Sequence, residues 1–306
     1  MITIFTIPKP FRGHIEIIQC NAIQSWRCLH PMCEVILYGD EYGVTEVASA
    51  YGVKHLRNIK CNEYGTPLLS SVFDHVQRIA KYNLICYVNT DIIFLSDLLV
   101  AIQRVSFSRF LLAGQRWDMN VTAAIDFNRT DWEQQFRNNV QNHGKLHPPS
   151  GSDYFIFPKR IIGKLPDFAV GRPMWDNWFI YKARAQGIPV IDATQLVMAV
   201  HQNHDYAHIQ AARDGVSWEG PEADRNRAII GNPARVFTLW DANWLLTPQG
   251  LLSASTTEHL DRAKTNWYIL HPNRSKIRRV LGSPRRLVAI LLHSYRSLIN
   301  KRFKVR

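Results

Sequence analysis

Short apolar runs alternate with amphipathic stretches along most of the chain. This alternation is typical of strand–helix–strand units, in which parallel strands are connected by helices that pack on the sheet. The pattern therefore predicts an α/β protein with a mostly parallel central sheet. In chain order it predicts strand 2–7, helix 14–29, strand 34–38, helix 43–51, strand 53–56, helix 67–80, strand 84–88, strand 110–113, a turn and short strand over 151–158, helix 178–186, and one or two strands within 188–200.

The apolar run over residues 84–95 is interrupted only by the triplet Asn89, Thr90 and Asp91. A strand of this composition is buried on both faces, and a charge within it is unfavourable unless something compensates it. If residues 84–88 form a central strand, the triplet emerges at its carboxyl end, where open α/β sheets bind ligands. Two side-chain oxygens at that end suit Mg²⁺ or Mn²⁺ carrying a diphosphate. The alternative is that Asp91 caps a turn or the next helix.

Two further carboxylates lie among aromatic residues in the second half of the chain. Asp153 lies in a turn that leads into a short strand, where a purely structural role is the alternative. Asp176 lies near the start of a predicted helix, flanked by Trp175 and Trp178. As a cap residue alone Asp176 would be unremarkable. Tryptophan faces, however, are common platforms for sugar rings, so we expect these two rings to contact a ligand.

A predicted buried strand ends in a cluster that contains His201, His204 and Asp205. Imidazole and carboxylate groups at a strand end are metal-ligand types. Each histidine taken alone is better explained by a hydrogen-bonded structural role. No G-x-G-x-x-G fingerprint or G-K-[ST] loop follows the first strand, which argues against a dinucleotide cofactor and a P-loop.

Taken together, these motifs resemble the GT-A class of glycosyltransferases over roughly residues 1–220. The resemblance implies a Rossmann-like GT-A fold and transfer of a sugar from a nucleotide-diphospho-sugar donor to a hydroxyl of a glycan, glycolipid or other acceptor, assisted by Mn²⁺ or Mg²⁺. In that class a D-x-D motif after an apolar strand ligates the metal. Here Asn89 and Asp91 occupy its two acidic positions, so the first position carries no charge.

The resemblance also implies roles for individual residues. Asp176 is the first choice and Asp153 the second for the general base of an inverting reaction; in a retaining reaction Asp176 would hydrogen-bond the donor sugar. The implied contacts are Pro8, Asp40, Glu63, Asn89 and Arg116 with the nucleotide-sugar, Trp175 and Trp178 with the acceptor, and Asp91 with His201 or His204 on the metal.

The net charge of +12 is concentrated at the end of the chain. Residues 271–306 contain eleven Lys or Arg and no Asp or Glu, which leaves 26 basic against 25 acidic residues in 1–270. A helix starting near Pro284 would align an apolar stripe flanked by basic residues, as in helices that lie on anionic membranes. The alternatives are a helix that docks on the body or on another copy, and nucleic-acid binding, against which the lack of interleaved aromatics argues. We therefore expect a glycosyltransferase domain over 1–230 and a C-terminal extension with a basic amphipathic helix over 231–306.

The five cysteines are odd in number and match no C-x-x-C spacing, which indicates a reducing compartment. The apolar N-terminus lacks the features of a signal peptide. We expect a cytoplasmic protein that associates peripherally with a membrane through its tail. Two other function classes stay open: a metal-dependent hydrolase that uses Asp91 with the histidine cluster, and a non-catalytic protein that binds a membrane or nucleic acid through its basic arm.

Overall fold

The computed structural model describes residues 1–204 and 219–272. It contains a nine-stranded and a four-stranded sheet, and the predicted α/β fold class is confirmed. The strands are β1 (Thr3–Thr6), β2 (Glu34–Tyr38), β3 (Lys54–Leu56), β4 (Leu84–Val88), β5 (Ile92–Ile93), β6 (Leu111–Ala113), β7 (Arg116–Met119), β8 (Lys145–Leu146), β9 (Tyr154–Pro158), β10 (Val190–Asp192), β11 (Ala199–Gln202), β12 (Trp244–Thr247) and β13 (Gly250–Ser253).

The helices that connect these strands follow the predicted periodicity closely in the first half of the chain. No helix within the described residues is both long and apolar enough to cross a membrane. The helices are α1 (Gly13–Leu29), α2 (Val44–Tyr51), α3 (Leu69–Ile79), α4 (Asp97–Gln103), α5 (Trp132–His143), α6 (Trp175–Ala185), α7 (Pro221–Ile230) and α8 (Thr257–Leu270).

The larger sheet has the strand order β13-β12-β10-β6-β9-β4-β1-β2-β3. Strands β1 to β4 pair in parallel, whereas β9 is antiparallel to both of its neighbours, β4 and β6. Because β1 and β4 are adjacent and parallel, their carboxyl ends lie side by side at one edge of the sheet. The first loop and the Asn-Thr-Asp turn therefore meet there.

Strand β4 is buried on both faces, as its continuous apolar sequence predicts. On one face Cys86 and Val88 join a core cluster that includes Trp26 of α1. On the other face the ring of Tyr87 lies 5.6 Å from that of Phe5. The carboxyl end of β4 is thus packed into the core on both faces.

The smaller sheet, of order β5-β11-β7-β8, was not predicted. Its strands β5 and β8 have two residues each, too few to show an alternating pattern. Strand β11 pairs antiparallel with β5 and parallel with β7, which places His201 opposite Ile92 and beside Asp118. This pairing brings the histidine cluster to the Asn-Thr-Asp turn.

The main sheet continues beyond the predicted boundary at residue 230. Strand β12 pairs in parallel with β10, and β13 adds an antiparallel edge. One compact unit consequently runs from Met1 to Arg262. The second unit begins at Ala263, and its described part, residues 263–272, includes the end of α8. The predicted basic helix near Pro284 lies outside the described residues.

The place of β12 in the core can be tested with two leucines. Leu246 on β12 is fully buried, whereas Leu252 on β13 is 49% exposed. We expect Leu246→Ala to lower the free energy of unfolding by about 2 to 5 kcal/mol, because it leaves a cavity. Leu252→Ala is the matched control and should change it by less than about 0.5 kcal/mol. Denaturant titration of both variants measures the difference, and equal stabilities would mean that β12 is not part of the core.

Candidate active site

Each residue of the Asn-Thr-Asp turn after β4 has its own partner. The Asn89 backbone N–H donates to the Asp153 carbonyl at 2.9 Å, and its side-chain amide donates to the Asp153 carboxylate at 2.7 Å. The hydroxyl of the buried Thr90 shares a 2.7 Å hydrogen bond with that of Thr6 on β1. These bonds fix the turn, so that the main chain at Asp91 is held in one position.

The Asp91 carboxylate is buried and surrounded by nitrogen atoms. Its Oδ2 lies 3.0 Å from Nε2 of His204, 3.6 Å from Nζ of Lys9 and 3.9 Å from Nε2 of His201. Burial acts to raise the pKa of Asp91, but the His204 hydrogen bond and the neighbouring positive charges outweigh it and hold that pKa well below its usual range. Asp91 is therefore ionised at neutral pH.

The other oxygen of this carboxylate faces no donor among the described residues. Asp91 Oδ1 is buried and has no hydrogen-bond partner among the residues that the structure describes, which is unfavourable for a charged group. Asp91, His201 and His204 offer ligand atoms that lie within 4.8 Å of one another. One carboxylate and two imidazoles suit a divalent cation such as Mn²⁺. The residues that the sequence predicted as metal ligands are thus brought together.

Buried Gln202 fixes the main chain of Asp91 against β11 and α1. Its backbone N–H and its side-chain amide donate to the Asp91 carbonyl at 3.1 and 3.2 Å. The amide also donates to the Ile18 carbonyl at 2.7 Å, and Asn21 donates to Gln202 Oε1 at 3.1 Å. Sequence reasoning missed Gln202, whose only signal was its position between the two histidines.

Asp118 on β7 was also missed, and it lies behind His201. Its Oδ1 is 3.4 Å from His201 Nδ1, while its Oδ2 is 2.7 Å from His147 Nδ1. Asp118 thus places a negative charge beside the His201 ring. Burial acts to lower the pKa of His201, but the Asp118 and Asp91 carboxylates outweigh it and raise that pKa.

Arg116 joins Asp118 to Asp153. Its guanidinium donates to the Asp118 carboxylate at 3.0 Å and to Asp153 Oδ2. Burial acts to lower the pKa of Arg116, but the two carboxylates raise it, so the guanidinium stays charged. Since Asn89 donates to the other oxygen of Asp153, both oxygens of that carboxylate are engaged. This environment suits a structural link better than a general base.

Asp176 lies in the first turn of α6, after Met174, whose φ of 74° is unusual for a residue with a side chain. The carboxyl group is half-buried. Burial and the negative charge of Asp153 raise the pKa of Asp176 to about 6, although the backbone N–H groups of Asn177 and Ser152 act to lower it. A carboxylate with a pKa near neutrality is well matched to general-base catalysis.

The negative charges of three carboxylates act on the buried phenol of Tyr87. Burial raises the pKa of its phenol, and the negative charges of Asp91, Asp153 and Asp176 raise it further. Its hydroxyl donates to Asn89 Oδ1 at 3.2 Å. Asp176 and Asp91 therefore both lie within electrostatic range of this phenol.

The two tryptophans beside Asp176 are buried, whereas the sequence predicted that their rings contact a ligand. Trp175 and Trp178 are only 6% and 7% exposed. The Trp175 ring lies 5.1 Å from that of Tyr87, and the Trp178 ring lies 5.2 Å from that of Phe168. Because both rings pack in the core, they do not form the open platform for an acceptor that the sequence predicted.

Three further residues were predicted to contact the nucleotide: Pro8, Asp40 and Glu63. Pro8 is buried just after β1. Asp40, with 66% of its side chain exposed, pairs with Arg57 at 3.3 Å. Glu63, with 61% of its side chain exposed, pairs with Arg225 at 2.6 Å. The described contacts do not join Asp40 or Glu63 to Asp91, and their contact with a nucleotide stays a prediction.

No family model and no curated protein sequence matches the chain. Its fold is similar to that of solved nucleotide-sugar transferases. Glucosyl-3-phosphoglycerate synthase from Mycobacterium tuberculosis, solved with Mg²⁺ and UDP, is 10% identical over 77% of this chain and 79% of its own, with a TM-score of 0.45. A mannosyltransferase from Pyrobaculum calidifontis, solved with GDP-Man and Mn²⁺, is 10% identical over 97% of this chain and 80% of its own, also with a TM-score of 0.45.

The raised pKa of Asp176 predicts a pH-dependent gain in stability for Asp176→Asn. The folded protein disfavours the carboxylate, so the wild type loses stability as pH rises from the ordinary value of 3.8 to about 6. The variant is neutral throughout. Its advantage should be absent below about pH 4 and reach about 3 kcal/mol above about pH 7.

Thermal unfolding measured between pH 4 and pH 8 checks this expectation. Asp224→Asn is the matched control, because 71% of that side chain is exposed. Its effect should be small at every pH. A variant at residue 176 that is no more stable than the wild type at pH 7.5 would contradict the raised pKa.

Proposed function

We propose that this protein is a glycosyltransferase that uses a nucleotide-diphospho-sugar donor and Mn²⁺ or Mg²⁺. The observation that carries the proposal is the Asp91 cluster. It consists of a buried carboxylate, one oxygen of which has no partner among the described residues, and two imidazoles within ligand distance. It lies at the carboxyl end of a central strand, β4, that is parallel to β1, and α/β sheets bind nucleotides at such strand ends. A bound cation there would neutralise a diphosphate.

In this proposal different residues bind the cation and accept the proton. Asp91, His201 and His204 would hold the cation, which offsets the negative charge that develops on a departing nucleoside diphosphate. Asp176, with a pKa near 6, is largely ionised at neutral pH and can accept the proton of the acceptor hydroxyl if the reaction inverts the anomeric centre. Asp153 and Arg116 hold the turn in place.

The acceptor in this proposal is a hydroxyl of a glycan or of a lipid-linked sugar. The hydrolase alternative would be favoured by a second cluster of metal ligands near the first. Among residues 1–204 and 219–272, Asp91, His201 and His204 are the one group with such geometry. Asp205, which that alternative also uses, lies outside the described residues.

The metal-assisted donor site can be tested by calorimetry with UDP and GDP as probes. We expect the wild type to bind at least one of them, and to bind it at least about tenfold more tightly with Mn²⁺ than with EDTA. Asp91→Asn should lose this dependence, because the cluster loses its only carboxylate while keeping its shape.

Two further variants make that test specific. Asp224→Asn removes an exposed carboxylate and should bind as the wild type does. Asp176→Asn should keep nucleotide affinity but lower sugar transfer by about 10² to 10⁴-fold, because its role lies in the transition state. Unchanged Mn²⁺ dependence in Asp91→Asn would exclude the proposed site.

We also propose that the basic tail, residues 271–306, brings the enzyme to an anionic membrane surface. The support is its sequence alone: eleven Lys or Arg, no acidic residue and an apolar stripe at helical spacing. Full-length protein should sediment with vesicles that contain anionic lipid but not with neutral ones. Binding should weaken steeply with salt, since each basic residue contributes about 1 kcal/mol that ions screen.

A chain that ends at residue 272 serves as the comparison. It should remain folded by circular dichroism and stay in solution with both kinds of vesicle. If the shortened chain unfolds instead, the stripe docks on the body. If the full-length chain ignores anionic vesicles, the tail has another partner.

A further inference from the structure

The loop after β1 holds one lysine in a defined position. Lys9 lies between Pro8 and Pro10, whose rings restrict the backbone. The side-chain amide of Gln19 on α1 clamps it: the Lys9 N–H donates to Gln19 Oε1 at 2.7 Å, and Gln19 Nε2 donates to the Lys9 carbonyl at 2.8 Å. Gln19 is only 1% exposed. A buried amide with both ends committed to one residue shows that the fold positions that residue.

The Lys9 ammonium lies inside the Asp91 cluster. Its Nζ is 3.1 Å from His204 Nε2 and 3.6 Å from Asp91 Oδ2, and those two atoms are 3.0 Å apart. Both partners belong to residues that would hold the cation. An ammonium and a divalent cation this close to the same atoms repel each other strongly in a partly buried site.

We infer that Lys9 is an exchangeable counter-ion. Without metal its ammonium neutralises Asp91; with metal bound it turns to the diphosphate of the donor and stabilises the charge on the leaving group. The second half rests on the proposed function, which supplies the diphosphate. A lysine suits this exchange because it carries a point charge on a flexible four-carbon stem. Its side chain is 30% exposed, which leaves it room to move.

The inference predicts that one substitution changes two affinities in opposite directions. Lys9→Met keeps the length of the side chain and removes its charge. We expect it to bind Mn²⁺, titrated alone into the full-length protein, about tenfold more tightly than the wild type, because a competing cation is gone. The Mn²⁺-loaded variant should bind UDP or GDP about tenfold more weakly. Damage to the fold would weaken both affinities, so opposite changes are specific.

Two matched variants complete the calorimetry. Lys60→Met removes the same charge from an exposed pair with Asp167, whose atoms are 3.4 Å apart, and should leave both affinities unchanged. Lys9→Arg keeps the charge and should stay close to the wild type for Mn²⁺.

The outcomes separate this inference from the proposed function. If the wild type binds Mn²⁺ and a nucleoside diphosphate but Lys9→Met binds Mn²⁺ no more tightly, the counter-ion role is overturned and the proposed function stands. If Mn²⁺ binding tightens while nucleotide affinity is unchanged, the contact with the diphosphate is overturned. If the wild type binds neither Mn²⁺ nor a nucleoside diphosphate, the proposed function fails, and the inference with it.

Discussion

An ionised carboxylate at the buried end of β4 is the constraint on which the site depends. Asp91 cannot remain charged there unless positive charges or hydrogen-bond donors reach it. The fold supplies them from distant parts of the chain: Lys9 from the loop after β1, and His201 and His204 from the end of β11. The hydrogen bonds of Gln202 to the Asp91 carbonyl hold these parts together. The same contacts therefore join the two sheets and bring the side chains of the site together.

Three carboxylates act on Tyr87 through their charge, those of Asp91, Asp153 and Asp176. Their own surroundings differ. The hydrogen bond with His204 and nearby positive charge, including that of Lys9, outweigh the effect of burial and keep the pKa of Asp91 low. Both carboxylate oxygens of Asp153 accept hydrogen bonds, one from Arg116 and one from Asn89. Asp176 has burial and a neighbouring negative charge, which raise its pKa to about 6. Environments that separate the pKa values of neighbouring acids commonly assign them different catalytic roles.

Local patterns were sufficient for much of the main sheet. The strands Glu34–Tyr38 and Leu84–Val88 have the predicted bounds. Polar residues at strand ends pointed to Asp91 and to the histidines separately, and the resemblance to a known class linked Asp91 with His201 or His204. Asp118 could not be found in this way, because it meets His201 only through the register of β7 with β11. That register joins strands far apart in sequence, one of which is mostly polar and resembles a loop.

The tryptophans show a second limit of sequence reasoning. Composition predicts that an indole is functional or buried, but not which of the two, since that depends on which face of α6 meets the sheet. Trp175 is directed inward, against Tyr87. Its contribution to Asp176 is then indirect: the core it helps to build is part of the low-dielectric surroundings that raise the pKa of that carboxyl group.

The asparagine at the first position of the triplet also has a physical explanation. Its side-chain amide donates to Asp153 at 2.7 Å, and its main-chain N–H donates to the Asp153 carbonyl. A carboxylate at residue 89 would place two negative charges at hydrogen-bond distance and force one to take a proton. Asn89 is therefore the residue type that this neighbour requires. The turn thus carries one charged carboxylate, that of Asp91. The polar side chains of Asn89 and Thr90 hold the turn in place.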